Sequence, residues 1–206
     1  MVRTKFAQLP ANIQKALATT SGLMLKEFDH SAENTKQTIR SNICFATNGG
    51  VNVSLKINYI DQGEGIDNCP KNTKELLDVD SAEGMISGTA VTVTADNIVE
   101  NMGAADLTES DGGKEITPRL YIDETKDFHP KYYVVPYGKD GGYIEVQLDN
   151  GFSTGGLVIN TEDKGKGQFP FEYKAFGSVD DPDVVPFRVF IKESETAPVQ
   201  EVQATV

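Results

Sequence analysis

The chain of 206 residues has no tryptophan, two histidines, two cysteines and only 19 basic residues against 31 acidic ones. Each shortage excludes something. Cys44 and Cys69 cannot supply a disulfide framework for a chain this long, and with His30 and His129 far off they offer no zinc spacing. They read as free thiols. A Ser/His/Asp triad needs a histidine set against an exposed serine, and no G-x-S-x-G elbow is present. His30 and His129 therefore read as ordinary surface or loop residues. The deficit of cations gives a formal charge of −12, which opposes tight phosphate binding and disfavours a nucleic-acid reader. No apolar run approaches the roughly 18 residues of a membrane span. The start, MVRTKFAQLP, lacks the apolar stretch of a signal peptide, so synthesis in a reducing cytoplasm is expected.

Weak motifs fail on spacing. Asp78, Asp80 and Glu83 before Gly84 suggest a calcium loop, but Ala82 and Glu83 stand where a ligand and a glycine are required. The Gly-Gly pairs at 49–50, 112–113, 141–142 and 155–156 match no phosphate cradle and read as turns or bulges. No catalytic residue, metal site or cofactor is expected, and the chain does not read as an enzyme.

Period-2 alternation dominates what is present. Val51, Val53, Leu55, Ile57 and Tyr59 fall on one side of a strand, with Asn52, Ser54, Lys56 and Asn58 on the other. Ile144, Val146 and Leu148 oppose Tyr143, Glu145 and Gln147. The same pattern recurs at 168–173 and 185–191, so these strands are expected to have one wet face. Further strands are expected at 23–28, 39–46, 85–94, 131–136 and 156–161. One helix is expected at 95–105, capped by Thr94 or Asp96, with Ile98, Val99 and Met102 on its buried stripe and Gly103 near its end. A second is expected at 10–19.

The length and composition fit one domain over 1–192. Residues 61–84 form a long connection mixing Gly, Pro and acids with Ile66, Leu76, Leu77 and Val79, which reads either as a surface excursion or as a docking arm. Residues 193–206 read as a flexible C-terminal tail. Charge is uneven: residues 1–50 carry six basic and three acidic groups, and residues 51–206 carry 13 and 28. Such polarity serves solubility and can orient self-assembly.

An ordered set of segments carries a resemblance. SGLMLKEFD at 21–29, ICFATNGGV at 43–51 and GEGIDNCPKNTKEL at 63–76 are followed by SGTAVTV at 87–93 and GAAD at 103–106. ITPR at 116–119, STGGL at 153–157, KGKGQFPFEY at 164–173 and VPFRV at 185–189 continue the series. Together, from about residue 20 to 191, they resemble the major tail tube protein family of long-tailed bacteriophages.

The resemblance implies a mainly β fold: a β-sandwich of two packed antiparallel sheets flanked by one α-helix, with a long inter-strand loop and terminal arms. It implies hexameric rings stacked into a tail tube that conducts DNA into the bacterial host. The implied partners are further copies of the chain and the tail terminator, tape measure and baseplate or tip proteins. DNA would be passing cargo only, with no membrane insertion. The implied location is the virion, after synthesis in the host cytoplasm. Ile66, Leu76, Leu77 and Val79 become candidates for docking between rings or subunits. An acidic channel wall would let DNA slide where a basic one would hold it, which makes Glu145, Asp149 and Glu172 candidate lumen residues. The rival expectation is a monomeric β-sandwich binding module, such as a virion decoration or adhesin domain.

Overall fold

The computed structural model describes residues 21–30, 36–137, 141–161 and 163–193. The expected helix at 10–19 and all but the first residue of the C-terminal tail lie outside them. Among the described residues the chain is mainly β, with two antiparallel sheets and few helices.

The strands are β1 (Leu23–Leu25), β2 (Thr47–Asp61), β3 (Leu77–Ala90), β4 (Ala105–Ser110), β5 (Gly113–Pro118), β6 (His129–Tyr137), β7 (Gly142–Ser153), β8 (Phe169–Ala175) and β9 (Phe187–Lys192). The helices are α1 (Lys36–Asn42) and α2 (Ala95–Met102), with a 3-10 turn at Lys74–Leu76. No helix among the described residues is long and apolar enough to cross a membrane.

Seven strands form one sheet in the order β1-β6-β7-β8-β3-β2, with β9 also paired to β7; β4 and β5 form a separate hairpin. Strand β7 makes the larger sheet fold over. Along one edge it pairs with β6, and along the other it pairs first with β9, from Tyr143 to Leu148, and then with β8, from Gly151 to Ser153. Between those stretches Asn150 has φ +47°, a left-handed conformation that asparagine tolerates better than most residues. The result is two facing layers, β1-β6-β7-β9 and β8-β3-β2, joined through one strand.

Period 2 dictates what lies between the layers. Met24, Tyr133, Val146 and Leu148 from one side meet Ile86, Phe171 and Tyr173 from the other. Val51, Val53, Leu55 and Phe187 pack against this cluster from its margin. Gly84 marks a close approach of the layers: a Cβ there would lie 2.9 Å from Phe187 and 3.0 Å from Leu148.

Several expectations need correction. Residues 39–46 are not a strand, because α1 runs to Asn42 and only Ile43 then makes a bridge, to Leu25. Residues 156–161 are not a strand either; among the described residues only Asn160 of this segment bridges, to Gln168. Helix α2 stops at Met102, where Gly103 takes φ +81°. Its N-cap is Thr94, whose Oγ1 accepts from the Asn97 N–H at 3.3 Å. The face of α2 that is fully buried carries Asn97 and Asn101, one turn apart, while Ile98, Val99 and Met102 are half-buried.

That polar face is pinned to the sheet. Asn97 Nδ2 donates to the Cys44 carbonyl at 2.7 Å. The Tyr173 hydroxyl donates to Asn101 Oδ1 at 2.6 Å, and Ser153 Oγ donates to the Asn101 carbonyl at 2.8 Å. Lys131, buried on β6, places its ammonium 2.7 Å from Glu100 Oε2 and 4.9 Å from the Tyr173 ring centre. Burial also pushes the Tyr173 hydroxyl well above its ordinary pKa.

Both cysteines are free. Burial pushes the Cys44 thiol up to about 11, whereas Cys69 is half-buried in the β2–β3 connection. Because the thiolate is the reactive form, an aromatic disulfide reagent at neutral pH is expected to titrate Cys69 in the folded protein and Cys44 only after unfolding. Equal rates for the two in native protein would contradict this packing.

Candidate assembly interface

Strands β2 and β3 form a hairpin that outgrows its sheet. They pair from Thr47/Ala90 to Asp61/Leu77, but β8 accompanies β3 only from Met85 to Ala90. Residues 77–84 of β3 and their partners on β2 are therefore a two-stranded ribbon. Residues 77–84, expected as loop, are strand; the irregular connection is confined to 62–76. Cross-strand pairing to β2 holds the backbone extended there despite the acidic, glycine-containing sequence.

The ribbon carries a core face with no core beneath it. Val51, Val53 and Leu55 are half-buried, and the same side of β2 continues to Ile57 and Tyr59, which are exposed. Opposite them the register shifts between Asn58 and Tyr59, so that Asp80 is an extra residue on β3. This bulge resets the alternation and brings Val79 opposite Tyr59 and Leu77 opposite Asp61. Tyr59, Leu77 and Val79, at 59%, 52% and 57% exposure, thus extend the apolar stripe into solvent.

The tip is tied down. Asp61 Oδ1 accepts from the Gly63 N–H at 2.9 Å and Oδ2 accepts from the Asn72 N–H at 3.0 Å, so one carboxylate holds both ends of the connection. These two backbone donors, Asn72 first, hold the Asp61 carboxyl below its ordinary pKa. The Gln62 N–H donates to the Leu76 carbonyl at 2.8 Å. Leu76 is half-buried against Gly63, where a Cβ would come within 2.9 Å of it. Of the four docking residues expected from sequence, the structure brings Leu77 and Val79 together with Tyr59. Ile66 is exposed at the tip, and Leu76 is turned inward.

Long backbone edges are open: among the described residues β2 pairs only with β3, β9 only with β7, and residues 77–84 of β3 only with β2. Val189 and Ile191 sit on the side of β9 that lies opposite the buried Val146 and the half-buried Ile144 of β7, yet both are exposed.

A further exposed apolar run, Leu120, Tyr121 and Ile122, was not anticipated. It is held by Arg119, whose guanidinium lies 3.0 Å from Asp106 and 2.5 Å from Asp127 and stands 5.0 Å from the Tyr121 ring centre. The sequence signal was available: three apolar residues directly after an arginine and outside any alternating pattern.

The lumen candidates separate. Glu145, expected on a wet face, is buried: residues 26–30 lie over it, with His30 Nδ1 3.6 Å from its Oε2. A side chain covered by its own chain cannot line a channel in this conformation. Asp149 lies on the outer side of β7, where its Oδ1 accepts from Gln147 at 2.7 Å and from Arg188 at 3.1 Å. Glu172 lies on the outer side of β8, between inward Phe171 and Tyr173, and accepts from Thr154 at 2.7 Å. Asp149 and Glu172 therefore belong to opposite outer faces. The β2-β3-β8 outer face is polar and mixed in sign, with Lys56 and Lys174 beside Glu83 and Glu172.

Among the described residues no group of three or more His, Cys, Asp or Glu side chains could hold a metal ion. No protein-family model matches the chain, and no curated protein sequence matches it. Among solved structures, a chain described as "Virion of native gene transfer agent (GTA) particle" superposes with a TM-score of 0.38 at 12% identity, covering 77% of this chain and 92% of that one.

Proposed function

We propose that this chain is a structural virion protein whose copies close into hexameric rings and stack into a tail tube for DNA delivery. The observation that carries the reading is the β2–β3 ribbon, which presents an apolar face prepared for burial and held in shape by Asp61. The open edges of β2 and β9 support it. Unpaired strand edges are an aggregation hazard that closed assembly removes, and a heterologous contact repeated around an axis gives a ring. The ordered resemblance of nine sequence segments to tail tube proteins supplies the specific form of that assembly.

In this reading the β2-β3-β8 outer face, mostly polar although Met85 and Pro170 lie on it, faces the channel, and Glu172 is its lumen acid. Asp149 then lies on the outside of the wall. Passage of DNA depends on the absence of a continuous basic stripe, since nucleic-acid affinity grows with each phosphate neutralised. Tail terminator, tape measure and tip proteins would meet the ends of such a tube, and the finished product would reside in the virion after synthesis in the host cytoplasm.

Negative-stain microscopy and analytical sedimentation of the purified chain test the reading. Six-fold rings or tubes are the expected result. A monomer at high concentration, with no polymer in the presence of other tail components, would instead indicate a binding module.

A further inference from the structure

Residues 26–30 leave β1 and cross the outer side of the β6-β7-β9 layer. Two ring contacts fasten them. His30 stacks on Phe190 of β9 at 4.5 Å between centroids, 20° from parallel, and Phe28 meets Tyr143 of β7 edge-on at 5.3 Å. Between these contacts lies Glu145, only 2% exposed, whose Oε2 makes no hydrogen bond although His30 Nδ1 stands 3.6 Å away. A carboxylate buried without a donor is costly unless a cation accompanies it.

We propose that residues 26–30 are a strap latched to the sheet by the His30–Glu145 pair, closed in acid and released as the pH rises. The proposal is independent of the tube reading. With the strap down, the stacked His30 ring covers Glu145, its Nδ1 3.6 Å from Oε2. Once ionised, Glu145 is a buried anion, and lifting the strap returns it to water.

The other groups facing Glu145 do not reverse this. Arg188 on β9 favours its charged form. Asp29 on the strap opposes it, and Tyr132 on β6 and Tyr143 on β7 are themselves held protonated by burial and by the Glu145 charge. Burial, the largest influence, raises the Glu145 pKa above its ordinary value. The closed strap therefore binds a proton at Glu145 more tightly than the open one, and by linkage the closed form loses stability as pH rises.

Opening exposes Tyr143, Phe190 and Glu145 together, so the device would control access to an aromatic surface. Hydroxyl-radical footprinting of the full chain, read by mass spectrometry, measures that access. Between about pH 4 and about pH 8, a span that starts below the ordinary carboxyl value and rises past it, labelling of Phe28 and Tyr143 should rise about threefold relative to Leu120, and that of Phe190, already 37% exposed, by less. Glu145→Gln keeps the shape without the charge and should stay protected at both pH values. His30→Gln should be labelled at the low pH as strongly as the wild type is at the high one. Constant wild-type labelling across this range would overturn the proposal, whatever the variants do. So would a Glu145→Gln chain that opens with pH as the wild type does.

Discussion

Replacing Leu77 and Val79 together with aspartate should leave a folded monomer and eliminate sedimentable polymer. Both side chains are about half exposed, so their loss removes little from the monomer's core, and its thermal midpoint should stay close to that of the wild type. In the proposed assembly the ribbon face would be covered. Burying the remaining surface of each side chain contributes about 1 kcal/mol, and an unpaired aspartate in the same place costs several more. Each contact is then weakened by at least about a hundredfold, and a ring multiplies that loss by its number of contacts. Sedimentation and electron microscopy decide the outcome. Tubes of normal appearance from the double variant would remove the ribbon from the interface.

Lys131→Met should lower the stability of the monomer by about 3 kcal/mol, because it leaves the largely buried Glu100 carboxylate without its cation and removes the ammonium that stands over the Tyr173 ring. Adding Glu100→Gln should recover most of the loss and bring the double variant within about 1 kcal/mol of the wild type, since a neutral pair of similar volume carries no stranded charge. Urea unfolding with a constant m-value is the measurement. Equal destabilisation of the single and double variants would show that Lys131 contributes through packing of its methylene stem and not through its charge.

The alternation at 51–59 and 143–148 was legible because half-buried strands write their two faces directly into the sequence. The helix at 95–102 was legible from Thr94 and Gly103, but its orientation was not. Periodicity marks Ile98, Val99 and Met102 as the inward stripe, yet Asn97 and Asn101 find partners in Cys44, Tyr173 and Ser153, and no local pattern reveals partners 52 to 72 residues away in the chain. The hairpin of β4 and β5 was hidden for a different reason. Its turn at Gly112 was visible, but Leu107 and Ile116 are the only large apolar residues in its paired strands, too few to show alternation.

The assembly residues were half legible. Apolar side chains in an acidic connection singled out Leu77 and Val79, but placing them on one face depends on the bulge at Asp80, which is a property of the pairing and not of either strand alone. Glu145 shows the reverse error. Alternation puts it on the solvent side of β7, and only the return of residues 26–30 across that side buries it. A period-2 pattern records which side of a strand faces the first layer; it is silent about a third piece of chain laid over the second side.

The continuity of β7 has a mechanical consequence. In a sandwich of two separate sheets no strand is shared, and the layers meet through side chains and loops. Here one backbone crosses from layer to layer at Asn150, so a pull on the β9 margin passes through the β9–β7 hydrogen bonds into the β7 chain and out through the β7–β8 hydrogen bonds, and sliding one layer over the other must break a ladder.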